Sequence, residues 1–184
     1  MPAFQSRLPI PIGLAALACA AVSVAAPAAD APGLWQVDVV AAAAAPPAKP
    51  VFLCADRRLR QSLVQALPEI AGKPCALLEP PTIRPGQFQA RCQAGDTKVV
   101  ASSATTGDLQ RDFTVNTHMS SRPADPTQAE PRGEFVQTRR YRLLGACPAG
   151  WAIGDSAAAG ANAVVNSVTG ASRPLAATFS PPAH

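Results

Sequence analysis

The stretch CALLEPPTIRPGQFQARC, Cys75 to Cys92, places two short apolar runs around a middle that is rich in proline and glycine, with a cysteine at each end. Such a pair of cysteines can bind a metal, act in redox chemistry or form a structural disulfide. A metal site favours cysteines two to four residues apart, and a redox pair favours Cys-x-x-Cys. Neither spacing occurs in the chain. The stretch therefore predicts a structural disulfide.

The N-terminal segment has the three-part pattern of a secretory signal peptide. Arg7 precedes the uncharged apolar run Leu8 to Val22, and small residues follow at alternating positions such as Ser23 and Ala25. This run is too short for a membrane span, which needs about 20 apolar residues. We therefore expect residues 1–25 to be a signal peptide that is cleaved after Ala25. The alternative is a lipoprotein, in which Cys19 of the sequence ALAC becomes the acylated residue.

Removal of this leader leaves four cysteines, and an even number in an exported chain predicts two disulfides. If Cys75 is joined to Cys92, Leu78 faces Gln89 and EPPTIRP forms the tip of a hairpin. The prolines of this tip then remove no hydrogen bond that the sheet needs. Geometry thus favours a Cys75–Cys92 disulfide.

The remaining two cysteines would form the second disulfide. A Cys54–Cys147 bond closes a loop of about 93 residues and joins the front of the domain to its last strand. The alternative pairing joins Cys54 to Cys75 and Cys92 to Cys147, and it stays open because sequence alone does not fix connectivity.

Composition indicates one domain that is rich in strands and loops. The 184 residues suit a single domain of about 100 to 150 residues with extensions. Charged residues make up 15% of the chain, and its 20 prolines are about twice the average number. Long regular helices therefore cannot dominate the structure.

Alternation of polar and apolar residues predicts the first strand, LWQVDVV, with Trp35 and Val37 on one face and Gln36 and Asp38 on the other. A second short strand, VFLC, begins at Val51.

The one helix is predicted in DRRLRQSLVQAL. Asp56 is a suitable N-cap, and Pro68 ends the segment. Its apolar stripe consists of Leu59, Leu63, Ala66 and Leu67, with most of its cations away from that stripe.

The later strands complete a mainly β fold. TKVVASSATTGDLQRDFTVNTHM predicts two strands around a two-residue turn with Gly107 and Asp108 at its centre. EFVQTRRYRLLGAC supplies a final strand with Phe135, Tyr141 and Leu143 on one face. We expect an antiparallel meander of six to seven strands that forms a curved sheet or incomplete barrel, with one short helix and two disulfides.

This β-rich, disulfide-linked domain is expected to span residues 32–154, with Trp151 packing back onto it. Residues 155–184 are dominated by Ala, Gly, Ser and Pro and carry little bulky apolar surface to offset the entropy of ordering. We expect this tail to be largely disordered, with SAAAGANAVVNSV as a candidate for a frayed helix.

Several motifs, taken in order, resemble a family of secreted proteobacterial proteins known as domain of unknown function 3617. They are PGLWQVDV, VFLCADRRL, the paired C…FQARC, the TTGD turn and RRYRLLGACPAGW. The resemblance covers roughly Pro32 to Gly154. The chain departs from the family at CADRR, at Arg142-Leu143-Leu144 and in its Ala-rich first connection. The resemblance implies a periplasmic or secreted β-rich domain of unassigned activity, with no catalytic residues to transfer.

No pattern in the sequence predicts catalytic, cofactor-binding or metal-binding residues, and we expect a protein that is not an enzyme. His118 shares a polar strand face with Asn116 and Asp112, an arrangement suited to proton transfer, but a solvated strand surface is the simpler interpretation. The carboxylates are scattered singly, so no metal cage or glycosidase pair is indicated.

Three arginines near the end of the last strand are a candidate site for phosphate or nucleic acid. Strand alternation places Arg140 and Arg142 on one face and Arg139 on the other. The net charge of +4 is mild, and export removes most nucleic-acid partners. We expect these side chains to form structural ion pairs with Asp112, Glu134 or the helix.

We expect a non-catalytic binding module for a small or lipidic ligand at the cell envelope, periplasmic or secreted after cleavage or anchored through Cys19. In this hypothesis the sheet and helix enclose an apolar hollow. The alternative is an interaction or inhibitor scaffold that uses the proline-rich loops around Pro80 and Pro123. Either form has no transmembrane span in the mature chain, binds no nucleic acid and needs no cofactor. The aromatic side chains expected to form the core, rather than a ligand cage, are Trp35, Phe52, Phe88, Phe113 and Phe135.

Overall fold

The computed structural model describes residues 31–42, 49–65, 67, 69–70, 73–125, 127 and 133–182. The expected signal peptide, with Cys19, lies outside these residues. The strands, in chain order, are β1 (Gly33–Ala42), β2 (Val51–Ala55), β3 (Glu69–Ile70), β4 (Lys73–Pro74), β5 (Ala76–Leu77), β6 (Thr82–Arg84), β7 (Gln87–Ala94), β8 (Thr97–Asp108), β9 (Asp112–Pro123), β10 (Gly133–Ala146), β11 (Asp155–Ala158), β12 (Ala163–Asn166) and β13 (Ser172–Pro174). The helix α1 spans Arg57–Val64.

Eleven of these strands form one antiparallel sheet that is not closed. Its order is β13, β12, β11, β2, β1, β10, β9, β8, β7 and β5, and β6 also pairs with β7. The strands β3 and β4 form a separate two-stranded sheet. The prediction of a mainly β, open antiparallel fold with one short helix is confirmed. The expected six to seven strands are too few.

Strand β1 lies inside the sheet and is covered on both faces near its start. Trp35 belongs to an apolar cluster on the side that α1 covers, which we term the helix face. Leu34 belongs to a second cluster on the opposite side, which we term the tail face. The two residues point in opposite directions because successive side chains of a strand alternate between faces.

The helix face contains the aromatic core of the protein. The rings of Phe113 and Tyr141 stack with centroids 4.6 Å apart, and Trp35 meets Phe113 edge to face at 5.6 Å. Offset and edge-on contacts of this kind are the favoured geometries for aromatic pairs. The predicted alternation of β1, β9 and β10 is confirmed by this cluster, since each strand contributes one of the three rings.

The tail face is covered by the segment that was expected to be disordered. Residues 155–182 form β11, β12 and β13 and then cross the sheet, where Phe179 packs against Leu34 and Phe52. The prediction of disorder is wrong for these residues, and β11 and β12 replace the candidate helix. Small side chains suit closely packed strands, and the sheet already provides the apolar surface that this segment lacks. Trp151 packs on the same cluster, as predicted.

Helix α1 begins as predicted, because the Asp56 carboxylate accepts a hydrogen bond from the Leu59 N–H at 2.8 Å. Leu59 and Leu63 pack against the helix-face core. One cation does not follow the expected pattern. The Arg60 guanidinium is buried, with its central carbon 4.9 Å from the centre of the Trp35 ring.

The helix ends at Val64, earlier than the predicted end at Pro68, which lies outside the described residues. The Gln65 N–H bonds back to the Ser62 carbonyl at 3.1 Å, and the Ser103 hydroxyl donates to the Val64 carbonyl at 2.5 Å. The last turn of α1 is therefore fixed to β8 by a side-chain cap.

Both disulfides have the connectivity that geometry favoured. Cys54 is bonded to Cys147, and Cys75 is bonded to Cys92, with Cα atoms 5.5 Å and 5.4 Å apart. The alternative pairing is therefore wrong. The first bond joins β2 to the residue that follows β10, and the second joins the residue that precedes β5 to β7.

The hairpin between Cys75 and Cys92 has a different register from the predicted one. Leu77 lies opposite Cys92, and Thr82 lies opposite Gln89, where Leu78 was expected. Pairing stops only across the segment that contains the two adjacent prolines and then resumes in β6. The tip of the hairpin is therefore the turn at residues 85–86, which lies at the C-terminal end of the predicted tip EPPTIRP.

The turn between β8 and β9 is also displaced. Asp108 pairs with Asp112, so the loop has three residues, and the Asp108 carboxylate accepts the Gln110 N–H at 2.8 Å. Gly107 lies in β8 opposite Phe113, not at the turn centre. Its φ of +94° is rare for other residues, and an added Cβ would lie 2.5 Å from the Asp112 carbonyl oxygen.

Loss of the long-range disulfide should destabilise the protein more than loss of the short one. The chain-entropy model gives about 4.6 kcal/mol for the Cys54–Cys147 loop and about 3.1 kcal/mol for the Cys75–Cys92 loop. Urea unfolding of the two double-alanine variants, Cys54→Ala with Cys147→Ala and Cys75→Ala with Cys92→Ala, measures both. A greater loss in the second variant would contradict this ranking.

Replacement of Gly107 should cost more than replacement of Gly95. Both residues have positive φ, but a Cβ at Gly95 meets nothing within 4 Å, whereas one at Gly107 would collide with backbone. We expect Gly95→Ala to cost about 1–2 kcal/mol and Gly107→Ala clearly more. The measurement is urea unfolding of the two variants, and equal losses would refute the steric explanation.

Candidate functional site

Two concave regions lie along the tail face of the sheet. The first, which we term the tail cleft, opens between the C-terminal segment and the start of β1 and has a volume of about 580 Å³. Its apolar lining includes Leu34, Pro148, Trp151, Leu175, Phe179 and Pro182. The sequence did not predict this site, because Leu175 and Phe179 are isolated bulky residues in a segment of small ones.

Aromatic stacking forms the floor of the tail cleft. The Phe179 ring lies 5.2 Å from the Phe52 ring and 5.0 Å from the Trp151 ring, centre to centre. Backbone bonds hold this floor in place. The Phe179 N–H donates to the Ala161 carbonyl at 2.8 Å, and the Phe179 carbonyl accepts from the Gly160 N–H at 2.9 Å.

A buried carboxylate fixes the strands beneath the cleft. Asp155 is 3% exposed and accepts hydrogen bonds from the Ala152 N–H at 2.8 Å, the Asn166 amide at 2.9 Å and the Arg173 guanidinium at 2.5 Å. Burial alone would raise the pKa of the Asp155 carboxyl, but these three donors outweigh it and hold the pKa below its ordinary value. Arg173 lines the cleft and also donates to the Gly150 carbonyl.

The second concave region, which we term the polar groove, crosses β6, β7, β8 and β9 and has a volume of about 450 Å³. On the tail face its lining residues are Thr82, Arg84, Gln87, Gln89, Ser102, Ala104, Asn116 and His118. Along β9, His118 and Asn116 alternate with the core residue Val115, so they lie on the face opposite the aromatic core.

Few hydrogen bonds to other described residues satisfy the side chains of the polar groove. Asn116 donates to the Thr138 hydroxyl at 3.3 Å, and Ser102 donates to the His118 carbonyl at 3.4 Å. The side chains of Gln87 and Gln89 bond to no other described residue. The polar period-2 pattern of QFQARCQA is the signal that could have indicated this face from the sequence.

His118 has a different acidic partner from the one that sequence spacing suggested. Its Nε2 lies 2.6 Å from a Glu134 carboxylate oxygen, whereas Asp112 is paired with Arg140. Ser102 lies directly across from His118, but its hydroxyl bonds to the backbone carbonyl and not to the imidazole. Among the described residues, this geometry does not provide a serine activated by histidine.

Of the three arginines of β10 that were expected to form ion pairs, two do so with described residues, and one of these has a predicted partner. Arg140 donates two hydrogen bonds to Asp112, and Arg142 lies 3.3 Å from Asp38. The hydrogen bond from Arg140 holds the pKa of the Asp112 carboxyl below its ordinary value. Arg139 lies on the helix face instead, next to Tyr141, whose pKa is raised by burial.

Four of the five aromatic residues expected in the core are buried. Trp35, Phe52, Phe88 and Phe113 are each 5% exposed or less, but Phe135 is 43% exposed. The core prediction is therefore wrong for Phe135, which lies on the helix face beyond the area that α1 covers.

In the part of the chain that the structure describes, no three His, Cys, Asp or Glu residues form a group that could bind a metal ion. That part also contains no helix with the length and apolar character needed to cross a membrane. No family model, curated protein or solved structure matches the chain. Two disulfides are typical of proteins in oxidising, extracytoplasmic compartments.

The Asp155→Asn variant should be less stable than the wild type by about 1.5–3 kcal/mol at pH 7, because a buried charge-assisted network is lost. The lowered pKa means that the carboxylate stabilises the folded protein above about pH 3.8 and that this contribution is lost as the pH falls through the folded-state pKa. The difference between wild type and variant should therefore shrink from pH 5 to pH 2.

Urea unfolding across this pH range measures the difference. The matched control is Glu79→Gln, which removes an exposed pair with Arg91 at 3.5 Å and should cost less than about 0.5 kcal/mol. A constant difference between the Asp155 variant and the wild type would show that the charge of Asp155 is not the cause.

Proposed function

We propose that this protein is a non-catalytic binding protein of the cell envelope that takes a small amphipathic lipid with a single acyl chain in the tail cleft. The aromatic floor of that cleft is the observation that carries the proposal. Ligand sites in proteins commonly have volumes of about 300–1,000 Å³, an apolar lining and a few polar groups. The tail cleft, at about 580 Å³, has these properties.

The rim of the cleft carries a cation that suits a lipid with an acidic headgroup. Arg173 lines the cleft, and its side chain is 45% exposed, although it is paired with Asp155 on one side. A guanidinium has five N–H donors, so it can donate to a further acceptor while its bonds to Asp155 and to the Gly150 carbonyl are kept. A lipid carboxylate placed there would have the acyl chain directed at Phe179 and Leu175.

We further propose that the protein works in the periplasm or outside the cell after removal of residues 1–25, with anchoring through Cys19 as the alternative. The disulfides and the leader pattern support this location. We also propose that the chain belongs to the family known as domain of unknown function 3617, and the order of the motifs supports this membership.

A scaffold for protein interaction is the second candidate. Leu78 and Ile83 are 53% and 57% exposed, close to Pro80 and Pro81, and exposed apolar side chains of this kind are typical of contact surfaces. The other proline expected to serve as a contact, Pro123, is a buried residue of β9. Only one of the two loops therefore supports this candidate.

The lipid proposal predicts that the cleft binds N-phenyl-1-naphthylamine, whose fluorescence rises in apolar surroundings, and that decanoic acid displaces it. The variant Ala177→Trp places a large side chain on the cleft lining, so binding should weaken about tenfold or more. The matched control is Ala159→Trp, an exposed turn residue outside the lining, which should bind like the wild type.

Equal binding by both tryptophan variants would place the probe elsewhere and overturn the proposal. An absence of probe binding by the wild type would do the same and would favour the interaction scaffold.

A further inference from the structure

We propose that the polar groove is a second binding site, independent of the tail cleft, and that it takes an acidic saccharide, meaning a sugar unit that carries a carboxylate or a phosphate.

The groove presents a regular grid of side chains. One cross-strand row contains Thr82, Gln89, Ser102 and His118, and the next contains Arg84, Gln87, Ala104 and Asn116. Adjacent strands lie about 4.8 Å apart, and residues two positions apart in a strand lie about 6.8 Å apart. The grid therefore measures roughly 14 Å by 7 Å, which is the size of one or two sugar rings.

Two glutamines at the centre of the grid provide hydrogen bonds for hydroxyl groups. Gln87 and Gln89 are exposed, and their amides bond to no other described residue. An amide has both donors and acceptors, which matches a sugar hydroxyl because that group also donates and accepts. Ala104 is exposed beside Gln87 and leaves a small, flat apolar surface, suited to the apolar face of a sugar ring.

The charge of the groove favours an anion. Arg84 is exposed and forms no ion pair with another described residue, so its guanidinium can bind a carboxylate or phosphate in a bidentate manner. Further along the same face, Lys98 lies opposite Arg122, and neither forms an ion pair with a described residue. The neighbouring carboxylate, Glu134, is directed at His118.

The same face does not suit a nucleic acid. Single-stranded nucleic acids bind to aromatic side chains on which their bases stack. The only aromatic side chain of the grid is the His118 imidazole, and Phe88, which also lines the groove, is 5% exposed. Amide groups, a small apolar surface and a guanidinium that forms no ion pair with a described residue fit a saccharide better.

The test is a titration of the ¹⁵N-labelled protein followed by NMR. The probes are digalacturonate, glucose 1-phosphate, neutral galactobiose and inorganic phosphate. We expect the side-chain amides of Gln87, Gln89 and Asn116 to shift with at least one acidic saccharide. Binding of digalacturonate alone assigns a uronate, and binding of glucose 1-phosphate alone assigns a sugar phosphate.

The variant Arg84→Ala should weaken binding of the acidic saccharide about tenfold or more, because a charge-assisted hydrogen bond is lost. The matched control is Arg58→Ala, an exposed arginine of α1 on the helix face, which should leave binding unchanged. Neither variant should change binding of N-phenyl-1-naphthylamine, so failure of this proposal and failure of the lipid proposal are distinguishable.

Three results would overturn the proposal. The first is that the amides stay unperturbed with both acidic saccharides at about 10 mM. The second is equal affinity for galactobiose and digalacturonate without binding of glucose 1-phosphate. The third is an affinity for inorganic phosphate as high as that for glucose 1-phosphate, without binding of digalacturonate. Equal weakening by Arg58→Ala and Arg84→Ala would also overturn it, because the effect would then reflect net charge alone.

Discussion

The structure depends on burial of both faces of β1 at its start. Leu34 and Trp35 are adjacent in the chain and are 3% and 1% exposed, on opposite sides of the sheet. A strand that buries both faces needs a cover on each side. The helix provides one cover, and the segment that ends near Phe179 provides the other. The Cys54–Cys147 bond ties β2 to the residue that follows β10, so the two strands that flank β1 are also joined covalently.

Sequence patterns were sufficient for features that depend on local chemistry. The Asp56 N-cap and the alternation of β1 follow from residue type and spacing, and the observed pairing of the four cysteines is the one that hairpin geometry favoured. Sequence patterns gave the wrong prediction for the C-terminal tail, because composition measures the apolar surface of a segment and not the apolar surface on which that segment packs. Phe52 and Leu34 already form an apolar surface on the sheet, so a few bulky residues are enough to order the tail.

Sequence patterns did not predict the candidate sites, for a related reason. The polar groove arises from the register of four strands, and a shift of one residue in any strand would turn its side chains to the other face. The hairpin registers were the least accurate predictions, since both turns were displaced by one or more residues. Glu134 pairs with His118 because the two residues lie on neighbouring strands, and spacing along the chain does not reveal this contact.

Sheet order has a consequence for biosynthesis. Val37 pairs with Tyr141, and Phe52 pairs with Ala157, so the central ladder joins residues about a hundred positions apart. Sheets built from such distant partners fold slowly, and their apolar strands stay unpaired while the chain is made. Trp35 and Phe52 therefore emerge from the ribosome long before their partners do. The nascent protein should be a client of chaperones that hold unfolded chains.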